Sequence, residues 1–202
     1  LQNVETEKLD SNDNKISTDG GKLLSSLGYR ISKDTRDNRF NPTSGYYYAL
    51  SEQFAGLGGD INYLSSILRG SYYYKYDYVD MVVGISGEYG NIEGIDENIS
   101  KSNRFFLGGR KVRGFDSSGI GPRVSDSSSS SAVGGNNYYA GRVALRSGIG
   151  FPSETGIQWT VFTDFGTLWG VDDTADNYAT NTDQKEIRMS FGYGFQWETP
   201  IG

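Results

Sequence analysis

The side chains that could do chemistry here are restricted in kind. The chain has Asp+Glu 25 and Lys+Arg 19, but Cys 0 and His 0. Catalytic triads built on histidine, zinc hydrolase centres and disulfides are excluded on that count alone. What is left is carboxylates, guanidiniums and hydroxyls, so the strongest candidate chemistry is a non-covalent ion pair. Arg113 is the most distinctive cation: it lies in R-F-F-L-G-G-R-K-V-R-G-F, residues 104–115, between the apolar Val112 and Phe115. A guanidinium held among apolar groups needs an anionic partner, because an unpaired buried charge is costly. Asp164 could supply one, in a bidentate fork. Two readings stay open on the residues alone: a buried Arg113–Asp164 pair, or a solvated loop arginine and a solvated carboxylate. Within the same loop Gly108, Gly109 and Gly114 permit positive φ, which marks a shaped segment.

Other motifs read as plain structure. Asp172, Asp173, Asp176 and Asp183 lack calcium-site spacing and read as solvated, so no metal site is expected. Gly56-Leu-Gly-Gly59 lacks the lysine and following helix of a phosphate loop and reads as a hairpin turn. The net charge of -6 and the missing basic run exclude a nucleic-acid partner. Asn98-Ile-Ser100 is only formally a glycosylation sequon.

The elements that must position these residues are strands. Gly 28, Tyr 15 and Phe 10, with Pro 4, favour strands and tight turns. No apolar run approaches the roughly 18–20 residues of a spanning helix. In residues 187–197, Ile187, Met189, Phe191, Tyr193, Phe195 and Trp197 share one face, while Arg188, Ser190, Gly192, Gly194 and Gln196 share the other. The length suits the roughly 9–11 residues of a tilted transmembrane strand. Comparable alternation occupies 157–169, 138–149, 81–89 and 63–76, with weaker cases at 23–33 and 46–55, about seven strands by template. In 157–169, Asp164 falls on the polar face with Gln158, Thr160, Phe162 and Gly166. In 138–149, Arg142 and Arg146 lie opposite Tyr139, Val143 and Leu145.

The connections alternate in length. Residues 77–80, 151–156 and 198–202 make short turns, with 34–45 somewhat longer; 1–22, 56–62, 90–137 and 170–186 make the loops of the other end. That parity is the sign of an outer-membrane barrel, with short periplasmic turns and long extracellular loops. The serine run in 126–131 reads as a loop tip, and Tyr72-Tyr-Tyr74 as an interfacial aromatic band. The expected fold is therefore all-β: an antiparallel transmembrane barrel, here an incomplete set of strands in one domain spanning 1–202.

Four segments carry a family resemblance. They are V-R-G-F at 112–115 with G-I-G-P-R at 119–123 and G-G-N at 134–136; D-T-R-D-N-R-F-N-P-T-S-G at 34–45; F-T-D-F-G at 162–166; and I-R-M-S at 187–190 through Q-W-E-T-P-I-G at 196–202. In that order they resemble the BamA-type outer-membrane assembly factors of the polypeptide-transporting outer-membrane barrel superfamily. The resemblance implies that the long loop folds into the lumen. Its Val112, Arg113, Gly114, Phe115 tip would be braced by Asp164 and shaped by Gly108, Gly109, Gly119, Gly121 and Pro122. It implies a periplasmic turn marked by Asp34, Arg36, Asp37, Pro42 and Gly45. Where the family offers a second carboxylate to the loop arginine, this chain has Ala144.

The implied function is folding and inserting other barrels into the bacterial outer membrane, without covalent chemistry or cofactor. A seam between first and last strands would open to template client strands, and local bilayer thinning would lower the barrier. Expected partners are nascent outer-membrane barrel proteins, the lipid bilayer and periplasmic accessory lipoproteins. The seam strands and the periplasmic polypeptide-transport-associated domains are expected outside this chain. The rival readings are a protein-translocating pore of the same superfamily, serving two-partner secretion or autotransporter assembly, and a passive porin or adhesin barrel.

Overall fold

The structure, a computed structural model, describes residues 2–4, 7–9, 15–17, 22–125, 130–148, 156–172 and 185–197. In chain order the strands are β1 (Gln2–Val4), β2 (Glu7–Leu9), β3 (Lys15–Ser17), β4 (Lys22–Leu24), β5 (Ser26–Asp34), β6 (Gly45–Ala55), β7 (Tyr63–Tyr76), β8 (Met81–Gly94), β9 (Arg123–Ser125), β10 (Ser130–Ala132), β11 (Asn137–Gly148), β12 (Ile157–Trp169) and β13 (Arg188–Trp197). Seven of them form one antiparallel sheet in the order β13-β12-β11-β8-β7-β6-β5. Each neighbours the next along the chain, which is the up-and-down connectivity of a barrel wall.

Period two decides the two faces. On β13, Phe191, Tyr193 and Phe195 are 74%, 78% and 74% exposed, while Ser190, Gly192 and Gly194 are half-buried. The same exposed apolar face continues through Tyr72 and Tyr74 on β7, Ile85 on β8, Tyr48 on β6 and Ile31 on β5. An apolar band this continuous has no place against water, and lipid is the solvent it suits. The opposite, inner face carries Asp164, Arg142, Glu88 and Arg69, and the long loop lies on it. Among the described residues, the edge strands β5 and β13 each pair on one side only within this sheet. No described helix is long and apolar enough to cross a membrane.

Three boundaries differ from the alternation pattern. The strand expected at 23–33 is interrupted at Ser25: Leu23 accepts from the Asp60 N–H at 2.7 Å, and its own N–H donates to the Asp60 carboxylate at 2.8 Å. With its peptide groups taken by the 56–62 turn, β4 leaves the main sheet and pairs with β1. The 1–22 segment, expected as a plain loop, therefore contains two small ladders, β1–β4 and β2–β3. Finally, β8 runs on to Gly94, so the long connection spans 95–136 and not 90–137. Past Tyr89 the alternation keeps its register but reverses its polarity, with Glu93 outward and the buried Ile92 inward, because the inner face is covered there: the Tyr138 ring lies over Gly90, where a Cβ would collide. The backbone nevertheless continues to pair with both neighbours.

The loop carries its own small β9–β10 ladder and two bridges, Phe105 to Gly135 and Leu107 to Ile120. The 151–156 turn up to residue 155, the serine run at 126–129, the 198–202 terminus and Asp173, Asp176 and Asp183 lie outside the described residues.

Candidate functional site: the loop seated on the inner wall

The floor of the site is built from the inner-facing residues of β11 and β12. Tyr138, Ala140 and Leu168 project from that floor, and Leu107, Val112 and Ile120 of the loop pack against them, with Phe105 and Phe115 at the margin. Leu107 and Val112 are completely buried. A fully buried aliphatic side chain contributes about 1.5–3 kcal/mol, so apolar burial supplies the attraction that brings the loop down. Close approach needs a small wall residue: a Cβ on Gly166 would meet Leu107 and Val112 at 3.1 Å. The loop's turn needs one too, since Gly108 sits at φ +137° and a Cβ there would collide with the Asp116 carbonyl.

The remaining shaping residues take definite places. Gly109, Gly114 and Gly121 have φ of 56°, 87° and 112°. Pro122 is fully buried, and its carbonyl accepts from Val133 at 3.1 Å. Gly119 donates to Asp116 at 2.9 Å, closing the turn after Phe115.

Position is set by charge. Asp164 is 0% exposed, and Arg113 grips it with Nε at 2.7 Å and Nη2 at 2.9 Å. The Arg113 peptide N–H donates to the same carboxylate at 3.1 Å. Its guanidinium carbon lies 3.1 Å from the centroid of the Phe162 ring, which forms the floor beneath it. Fork-to-fork geometry of this kind fixes orientation as well as distance.

Arg142 was not among the expected site residues. It stands directly across from Asp164 in the β11–β12 register. Its Nε and Nη2 donate to the carboxylate at 2.7 Å and 3.0 Å, and Nη2 also reaches the Arg110 carbonyl at 3.1 Å. One carboxylate thus serves two guanidiniums. The local balance, two positive charges against one negative, is the reverse of the one-arginine, two-carboxylate arrangement that the resemblance implies. Ala144 faces β12 at Phe162 and offers no charge. Asp172 also does more than meet solvent: it accepts from the Ile99 N–H at 2.6 Å and the Asn136 side chain at 2.9 Å, tying the loop's two ends together.

At the other end of the sheet, Asp34 and Arg36 form a bidentate pair, both contacts at 2.8 Å. Asp37 accepts from the Thr43 hydroxyl and from the peptide N–H groups of Asn38, Thr43 and Ser44 at 2.9–3.1 Å. These bonds, the Thr43 hydroxyl foremost, hold the Asp37 carboxyl well below the usual carboxylate range. Pro42 is buried, and Gly45 takes φ +96° at the exit of the turn. The described residues hold no cluster of three or more groups able to ligate a metal ion.

The sequence matches the Omp85 superfamily domain over residues 1–202. It is 34% identical, over 187 residues and 92% of its length, to the outer membrane protein assembly factor BamA of Neorickettsia risticii. To the BamA of Nitratidesulfovibrio vulgaris it is 25% identical over 186 residues, 90% of this chain. It spans 24% and 22% of those two proteins, about a quarter of their length. The crystal structure of BamA from Haemophilus ducreyi lacking POTRA domains 1-3 superposes with a TM-score of 0.80 at 21% identity, covering 96% of this chain and 40% of that one, which shows the shared fold. The chain is a stretch of barrel wall with its inward loop, and it belongs to the Omp85 superfamily.

Proposed function

We propose that this chain is the wall-and-loop portion of an outer-membrane assembly factor that folds and inserts other β-barrel proteins. Its place is the bacterial outer membrane, with the apolar face of the sheet against lipid. Its partners are unfolded barrel clients, the bilayer and accessory lipoproteins on the periplasmic side. No covalent step belongs to this work, and the wall contributes rigidity where the seam contributes templating.

The observation that carries the reading is the seated tip: Val112 buried, Arg113 forked onto Asp164, in a chain matching the superfamily over its full length. A loop held inside the lumen is a plug and a brace, which a passive pore has no need to anchor so closely. Strands that complete the wall would pair with the edges of β5 and β13, since open edges are not viable in a bilayer.

The test uses the full-length parent protein in liposomes with a urea-denatured barrel client, whose folding is read by heat-modifiable gel mobility. The parent should accelerate client folding over empty liposomes, and Arg113→Ala should remove most of that acceleration. Steady conductance with no acceleration of any client would favour the translocating pore.

A further inference from the structure

The inner wall carries a second carboxylate that the loop touches. Glu88 projects from β8, one strand beyond β11 from Asp164. Lys111, two residues before Arg113, places Nζ 2.6 Å from Glu88 Oε1 and 2.9 Å from the Tyr138 hydroxyl. The same ammonium sits 4.1 Å from the centroid of the Tyr138 ring. The Tyr138 hydroxyl donates to Glu88 in turn, so the lysine, the phenol and the carboxylate close a triangle. Arg69, the register partner of Glu88 on β7, completes the set with its own bond to the carboxylate.

The arrangement repeats the one at Asp164. Each carboxylate takes one arginine from the neighbouring strand, directly across in register, and one cation from the loop. For Asp164 these are Arg142 and Arg113; for Glu88 they are Arg69 and Lys111. Glu88 stands across from Ala140 and Asp164 across from Arg142, so the two acids are two strand spacings apart and offset by two positions along the strands, about 12 Å. Lys111 and Arg113 therefore reach to opposite sides of β11, and the buried Val112 lies between them. A segment pinned on both sides cannot swing about either pin.

We infer that Lys111 and Glu88 form a second anchor of the loop, positioning the tip for which Arg113 and Asp164 are the first. The wall arginines give the device its character. A buried carboxylate stripped of its only cation is strongly disfavoured. Here the loop can lift while Arg69 and Arg142 stay on their carboxylates, so neither acid is left bare. The two anchors hold the tip in place without making its departure prohibitive.

Ala140 lies under the loop and is 8% exposed, so a cysteine there reports lifting. This chain has Cys 0, which leaves Ala140→Cys as the one thiol once any cysteine elsewhere in the full-length parent is replaced by serine. The rate of labelling by a small membrane-impermeant thiol reagent is then measured in liposomes. Lys111→Met and Glu88→Gln should each raise it about two- to fivefold, the scale of a partly exposed ion pair. Lys111→Arg should restore the parental rate, and the double variant should match the larger single. Arg69→Met should slow labelling, because Glu88 then depends on Lys111. A rate unmoved by Lys111→Met, a multiplicative rise in the double variant, or faster labelling in Arg69→Met would overturn the inference. Unfolded material labels in a burst ahead of the slow phase; if Lys111→Met does not assemble, Glu88→Gln carries the same comparison. The labelling rate reads loop position and not client assembly, so a parent without assembly activity would leave this inference standing.

Discussion

Residues 35–44 and residues 95–136 connect strands at opposite ends of the same sheet, and both carry motifs, yet they are held by different means. The short turn closes on itself: Asp37 gathers N–H groups from Asn38, Thr43 and Ser44, and Arg36 folds back onto Asp34 two residues away. The long loop is secured mainly by residues far along the chain. Arg113 meets Asp164, Lys111 meets Glu88, and the Ile99 peptide meets Asp172. The turn's geometry is a local property of its sequence, as in other turns built on Asx side chains. The loop's geometry is a property of the wall, and it exists only when β8, β11 and β12 are assembled in register. A change in the turn should therefore stay local, whereas a change on the wall should be felt throughout the loop.

Asp164 offers the largest way to break the contrast. Asp164→Ala removes the one carboxylate between Arg113 and Arg142, leaving two guanidiniums facing each other above a closed floor. Loss of a partner at a buried site costs about 3–5 kcal/mol, and the full-length parent should show it as a lowered urea midpoint and a mobile loop. Arg113→Ala should cost less, about 1–2 kcal/mol, because Arg142 still covers Asp164 and Arg113 is itself 35% exposed. In the double variant the Arg113 substitution should add little to the loss from Asp164→Ala. Equal losses in the two singles would mean that Arg142 does not share the carboxylate.

The turn should give a smaller and strictly local effect. The folded-state pKa of Asp37 is depressed, so its contribution is complete above the ordinary carboxylate value near 3.9 and is lost as pH falls from there toward the lowered one. Below about pH 4 the 35–44 segment should lose amide protection while the loop tip keeps its own. Asp37→Asn should reproduce part of that change at neutral pH. Loss of loop protection in Asp37→Asn would show that the two ends of the sheet are coupled after all.

Much of the wall could be read from period two alone, because one face meets lipid and the other the lumen, and a slip of one residue would exchange them. Asp164 could be assigned to the inner face in this way, and so could Arg142. What period two cannot give is which inward residue stands across from which. That depends on the β11–β12 register, and the Arg142–Asp164 pair was invisible for that reason. Glu88 and Lys111 were missed on the same ground, since a strand residue and a loop residue meet only once the loop has a floor. The interruption at Ser25 comes from Asp60, whose carboxylate and N–H occupy the Leu23 peptide from thirty-seven positions away. The turn, in contrast, is held by bonds between near neighbours in the chain, Arg36 to Asp34 and Thr43 and Ser44 to Asp37.

The most direct measurement of the central claim is hydrogen exchange at the Arg113 amide in the full-length protein. That N–H donates to a carboxylate oxygen of the fully buried Asp164 at 3.1 Å, so its protection reports the seated tip and nothing else. Protection close to that of the strand amides of β11 and β12, abolished by Asp164→Ala, is the predicted result. Exchange in the unmodified protein at the rate of an unstructured loop would contradict the account.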